Sequence, residues 1–214
     1  MVFKVSLYTF ALTMRNKILI AAVELFLNFG FKSITMDDLA NKLGISKKTI
    51  YLHFKTKTVL VEASALHVFN EISHGIDCIC ELGKNPIEEI YDIKNFVMEH
   101  LKDEKSSPQY QLQKYYPKIY MTLKIKQFEV MHDCVRENLT RGIDLELYRD
   151  TINIEFISRI YFNSMLAIKN KDLFPEKILS VKELMENFLE YHLRGVCTTK
   201  GINILNKIKT QINQ

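Results

Sequence analysis

Thr35-Met-Asp-Asp-Leu-Ala-Asn-Lys-Leu-Gly-Ile-Ser-Lys-Lys-Thr-Ile-Tyr-Leu-His-Phe54 is the stretch that decides the fold. Thr35 is an N-cap residue with Asp38 three positions on, a variant of the capping box, and Asp37 and Asp38 also oppose the positive end of the helix dipole. Leu39, Ala40 and Leu43 then form one apolar face, so a short helix ends at the tight turn Gly44-Ile45. Ser46 caps a second short helix over 47–54. The two must cross steeply, because Ala40, Leu43, Ile45, Ile50 and Phe54 need one small core together with the helix before them. That leaves Lys47, Lys48, Thr49, Tyr51 and His53 on the outer face of the second helix. Two cations, hydroxyls and an imidazole on one exposed face suit the major groove of DNA and its flanking phosphates.

The flanks continue in helices. Ile18, Ala22, Leu25, Phe26 and Phe29 make one apolar stripe over 14–29, and Gly30 follows as a C′ residue able to turn left-handed. Thr56 caps a fourth helix over 57–81. Asn85-Pro86 with Glu88-Glu89 starts a fifth, which carries Ile90, Ile93, Val97 and Leu101 before dissolving into the polar stretch 103–107. Pro108 and Pro117 start two more, the second running to 141 and stopped by Gly142. Helices over 154–169 and 176–194 follow, the last preceded by Phe174-Pro175 and closed by Gly195, with a short C-terminal segment beyond. No alternating run long enough for a strand interrupts them. The fold class is therefore all-α, with an N-terminal three-helix helix-turn-helix head over 14–60 on a C-terminal helical bundle over 61–205, about nine helices altogether.

Charge divides the chain in the same way. Residues 1–60 hold Lys4, Arg15, Lys17, Lys32, Lys42, Lys47, Lys48, Lys55 and Lys57 against Glu24, Asp37 and Asp38. The remaining residues hold 20 basic and 22 acidic groups, so a basic head stands on a near-neutral body. Cys78, Cys80, Cys134 and Cys197 lack CxxC spacing and read as reduced thiols of a cytoplasmic protein. No apolar run reaches the roughly 18 residues of a membrane span. Residues 1–13 read as an upstream extension before a start at Met14, or as an arm on the first helix, rather than as a secretion signal.

The segment 18–60 resembles the N-terminal domain of the TetR/AcrR family of bacterial transcription regulators. The resemblance rests on Ala21-Ala22, Leu25-Phe26, Gly30-Phe31, Thr35, Asp38-Leu39-Ala40, Leu43-Gly44-Ile45-Ser46, Tyr51 and His53-Phe54-Lys55-Thr56-Lys57. It implies that Thr35 and the start of its helix hold a phosphate and that Ser46, Tyr51 and His53 make phosphate and groove contacts. It implies further that Lys57 clamps a phosphate and that Lys47, Lys48 and Thr49 read base edges. Relatives often carry Gly or Ala where Lys48 stands, so the operator cannot be borrowed from them. A thinner similarity covers Tyr115-Tyr116-Pro117, Asn138-Leu139, Gly142, Leu147-Tyr148-Arg149, Ile152, Tyr191-His-Leu-Arg-Gly195 and Thr199-Lys-Gly201. The family habit is a homodimer on double-stranded DNA, most often a repressor, released by a small-molecule effector.

In that reading the last two long helices form the dimer interface, with Ile157, Tyr161, Ser164, Leu184, Phe188 and Tyr191 as candidates, although intrachain packing explains each of them equally well. Phe96, His100, Phe128, Met131, His132, Phe162 and Met165 could line an effector pocket, or be ordinary core. His67, Glu71, His74 and Cys78 share one face of the fourth helix, but over three turns they spread too far for one ion, and no metal is assigned. There is no Gly-rich phosphate loop, HExxH or nucleophile elbow, so neither catalytic residues nor a cofactor are assigned. The reading from another class is a helical-bundle carrier or enzyme with a vestigial head.

Overall fold

The computed structural model describes residues 13–101, 108–168, 170, 173–175 and 177–212, so the expectations for residues 1–12 and 103–107 lie outside the described residues. The described residues form ten helices: α1 Met14–Phe29, α2 Met36–Leu43, α3 Lys47–His53, α4 Lys57–Glu81, α5 Pro86–Leu101, α6 Pro108–Tyr115, α7 Pro117–Asp144, α8 Ile154–Ala167, α9 Val181–Val196 and α10 Thr199–Ile212. The tenth occupies what the sequence suggested was a short terminal segment. Among the described residues there is no strand, only an isolated antiparallel bridge between Tyr148 and Cys197. No helix among them is long and apolar enough to cross a membrane. They divide into two compact units, residues 13–69 with 108–123 and residues 70–101 with 124–212, whose boundaries fall within α4 and α7.

The first unit closes on Ile18, Ala22, Phe26, Leu39, Ile50, Phe54 and Leu60, joined by Leu112 of α6 and by Ile119 and Leu123 of α7. The α1 stripe follows its spacing except at the last position. Phe29 is 61% exposed, because Gly30 turns the chain with φ 88° and ψ 151° and brings Phe31 into the core instead. The positive φ is as expected of this glycine, but its ψ is extended rather than left-handed helical. Phe31 packs 5.2 Å from the Phe26 ring and 6.3 Å from Tyr116. Gln111 accepts the Lys32 N–H at 3.3 Å, tying α6 to the turn between α1 and α2.

The second unit packs Ile87, Tyr91, Leu139, Tyr148, Leu189, Leu193 and Leu205 around a polar centre. Glu89 is 1% exposed and its carboxylate is held by Arg141 and by Asn138 Nδ2 at 2.9 Å. Asn138 Nδ2 also donates to the Pro86 carbonyl at 2.9 Å, and Asn138 Oδ1 accepts from the Tyr148 hydroxyl at 3.1 Å. One side-chain network thus fixes the start of α5 to the end of α7. Gly142 does not stop α7, which runs on to Asp144; the glycine is needed because a Cβ there would fall inside the Tyr148 ring. α9 starts at a capping box of Ser180 and Glu183 and ends at Val196, one residue beyond Gly195.

Removing one partner of a buried ion pair leaves the other charge uncompensated, at a cost of about 3 kcal/mol or more. Arg141→Met is expected to lower stability by about that amount in urea unfolding, and Glu89→Gln added to it should recover most of the loss. Equal stability of Arg141→Met and the unaltered chain would show that the network does not hold α5 to α7.

Candidate nucleic-acid interface

Two caps and one turn position the outer face of α3. At the start of α2, Thr35 Oγ1 accepts the Asp38 N–H at 3.1 Å, while the Thr35 N–H donates to Asp38 Oδ2 at 2.7 Å. The bond from the Thr35 backbone, then the one from its hydroxyl, holds the Asp38 carboxyl below its ordinary 3.8, with a smaller contribution from Lys57. A depressed carboxyl stabilises the folded chain above the ordinary Asp range, and that support is lost as pH falls through the lowered value. Gly44 ends α2 with φ 63° and ψ 31°, a left-handed residue whose N–H reaches the carbonyls of Ala40 and Asn41. Ser46 Oγ then accepts the Thr49 N–H at 3.1 Å and lies 2.9 Å from the Thr49 hydroxyl. Both hydroxyls are engaged in starting α3, so Thr49 would have to give up its contact with Ser46 to reach a base.

Ile50 and Phe54 are wholly buried, and this sets the rotation of α3. Lys47, Lys48, Tyr51, Leu52 and His53 are left exposed, with Thr49 half-buried. Lys47 Nζ sits 2.8 Å from Asp37 Oδ2, a contact that raises its pKa and that it must release to bind an anion elsewhere. Among the described residues Lys48 has no ion-pair partner. Lys57, at the first position of α4, donates from Nζ to the Lys32 carbonyl at 3.3 Å. Partial burial lowers the Lys57 pKa, and the charge of Asp38 opposes that shift. Thr35, Asp38, Lys32 and Lys57 therefore form one edge beside the α2 N-terminus, where a cation, a hydroxyl and backbone N–H groups can meet a phosphate oxygen.

Two residues of this face were missed in the sequence. Leu52 is 75% exposed, one helical turn beyond Lys48, and its signal was the spacing of four from a residue already assigned outward. Arg15 of α1 places its guanidinium 4.9 Å from the Phe54 ring centroid, which brings another cation to the end of α3. Only the fold connects Arg15 to α3.

The residues named in the body fall into separate groups, all within the second unit. Phe128 packs 5.2 Å from both His132 and Phe162, and His132 Nε2 lies 2.9 Å from Glu155 Oε2. Met131 and Met165 are partly buried against the core of the same unit. Phe96 and His100 form a pair of their own on α5, ring centroids 4.1 Å apart. Tyr161 and Leu184 are buried in the chain's own core, and Phe188 packs 5.3 Å from Tyr161. Ile157 and Ser164 are half-buried, whereas Tyr191 is 78% exposed. The large apolar side chains that α8 exposes are Phe156 and Ile160, neither singled out from the sequence. Among the described residues no three His, Cys, Asp or Glu side chains lie close enough to share a metal ion, the α4 stripe of His67, Glu71, His74 and Cys78 included.

Comparison with known proteins bears on the same face. Residues 18–64 match the family described as bacterial regulatory proteins, tetR family. The chain is 22% identical over 212 residues to the HTH-type transcriptional regulator YerO of Bacillus subtilis, covering 92% of this chain and 73% of that protein. Over 60 residues it is 40% identical to the HTH-type transcriptional activator FasR of Mycolicibacterium smegmatis, a match that spans 28% of this chain and only 27% of FasR. Among solved structures, SmeT, the repressor of the Stenotrophomonas maltophilia multidrug efflux pump SmeDEF, superposes with a TM-score of 0.67 at 17% identity, over 86% of this chain and 91% of the other.

Proposed function

We propose that the chain, whose residues 18–64 match the family described as bacterial regulatory proteins, tetR family, acts in the cytoplasm as a homodimeric repressor. In this reading it binds a near-palindromic operator and is released by a small molecule. The observation that carries DNA reading is the division of α3: Ile50 and Phe54 buried, Lys47, Lys48, Tyr51, Leu52 and His53 exposed. Lys48, unpaired among the described residues, is the leading base reader, reaching guanine O6 or N7 or a nearby phosphate. Leu52 supplies an apolar contact suited to a thymine methyl. Thr35, Ser46, Tyr51, His53 and Lys57 hold the backbone, and Lys47 and Thr49 join the readers by giving up Asp37 and Ser46. Occupying a promoter excludes polymerase, which makes repression the output proposed. SmeT is named a repressor and FasR an activator, so a reporter assay decides the sign for this chain.

The proposed dimer pairs α8 and α9 with their copies. Phe156, Ile160 and Ser164 follow one another at four-residue spacing on α8, and Tyr191 stands out on α9, so an apolar stripe is available to a second copy. For the effector, the cluster of Phe128, His132 and Phe162, with Met131 and Met165 on the same two helices, offers aromatic faces and one polar handle to an apolar, aromatic compound.

Lys57→Ala should weaken binding to every duplex and reduce the slope of log affinity against log salt by about 0.9, the share of one phosphate contact. Lys48→Ala should instead change which base is preferred at one position of each half-site, with an effect of about 1–3 kcal/mol. If Lys57→Ala left both affinity and slope unchanged, the phosphate clamp would be misplaced. Introducing charge with Phe156→Glu and Tyr191→Glu together should yield monomers in sedimentation, and an unaltered dimer would move the interface elsewhere. In a screen of aromatic compounds for release of bound DNA, Phe128→Ala should abolish the response while leaving DNA affinity intact. Release undiminished in that variant would place the effector outside the α7–α8 cluster.

A further inference from the structure

The second unit contains a pair of sulfurs for which DNA reading has no use. Cys80, near the end of α4, and Cys134, in the middle of α7, lie 54 residues apart in sequence with their Sγ atoms 3.9 Å from each other. That is van der Waals contact between two thiols, and helix packing rather than a local turn produces it. Both side chains are free and partly buried. A disulfide bond is about 2.05 Å long, so roughly 1.8 Å of approach, within reach of side-chain rotation on two neighbouring helices, would join them. The remaining cysteines are placed differently. Cys78 is exposed beside His74, whose Nε2 is 3.9 Å from its sulfur, and Cys197 is buried at the bridge to Tyr148.

We propose that Cys80 and Cys134 form a dithiol site that a hydroperoxide oxidises to an intrachain disulfide joining α4 to α7. Cys80 is the attacking thiol. The contact with the Cys134 thiol brings the Cys80 pKa below the ordinary thiol value, while the same contact and burial raise that of Cys134. A thiolate is the nucleophile in such chemistry. The Cys80 sulfur attacks one peroxide oxygen and the O–O bond breaks. Cys80 becomes a sulfenic acid, and the other oxygen leaves with a proton, as water when the oxidant is hydrogen peroxide. The Cys134 sulfur then attacks the sulfenic sulfur, the S–O bond breaks, and the hydroxyl leaves with the Cys134 proton as a second water. Two thiols lose two electrons and two protons, and hydrogen peroxide takes them up to give two waters. A small thiol reductant returns the pair by exchange through a mixed disulfide.

The site lies wholly within the second unit and asks nothing of the head, so its failure would leave the DNA-binding reading intact, and the reverse holds too. The test treats the full chain with hydrogen peroxide, counts free thiols and sequences cross-linked peptides under non-reducing conditions. Because Cys78 and Cys80 fall on the same tryptic peptide, the Cys78→Ser variant is treated in parallel. The expected result is loss of two of the four thiols, a bridge between the Cys80 and Cys134 peptides that persists in Cys78→Ser, and full recovery with dithiothreitol. In Cys134→Ser the oxidation should stop at a Cys80 sulfenic acid that dimedone traps. Four free thiols after peroxide, a bridge lost in Cys78→Ser, or a bridge only between two chains would each overturn the proposal.

Discussion

Ile50 and Phe54 have no exposed surface, and the geometry of the outer face of α3 depends on that burial. Seven residues make only two turns of helix, too few to be stable alone, so α3 exists because its inner side completes a core with α1 and α2. Burying a side chain of this size contributes about 1.5–3 kcal/mol, well above what any exposed ion pair on the outer face could add. The rotation of α3 is therefore set from inside. Lys47, Lys48, Tyr51, Leu52 and His53 point outward because Ile50 and Phe54 point inward, and their chemistry is free to vary without cost to the fold. In the proposed reading, specificity and stability are thus assigned to opposite sides of the same two turns.

The second unit solves a different problem. Its helices are long, and packing alone would allow them to slide, but the buried carboxylate of Glu89 must find Arg141 and Asn138 in one register. The Tyr148 hydroxyl and the space left by Gly142 complete that arrangement. A polar centre of this kind is weak support for stability in itself, yet it is costly to misalign. It fixes α5 against α7.

Local rules made the head legible. The capping box of Thr35 and Asp38, the left-handed Gly44 and the Ser46 cap are short-range patterns, and each is present in the fold. What escaped depended on distant partners. Phe29 satisfied the helical period, but Phe31 took its place in the core once Gly30 turned the chain. Arg15 comes to α3 only through the packing of α1. α9 begins at Val181 rather than at the expected 176, because Ser180 and Glu183, whose three-residue spacing is itself a cap signal, close the capping box there. In the body, period alone could not tell Tyr161, which is buried, from Phe156, which is not. The Glu89 network went unread because no sequence rule pairs residues about fifty positions apart.

The central claim is that the exposed face of α3 reads sequence rather than only binding charge. Its most direct test is competition at physiological salt between a duplex selected by the protein from its own genome and an unrelated duplex of equal length. The account predicts that the selected duplex binds at least about a thousandfold more tightly, in keeping with specific protein–DNA recognition. Equal affinity for the two duplexes would contradict it and reduce the head to a nonspecific polycation.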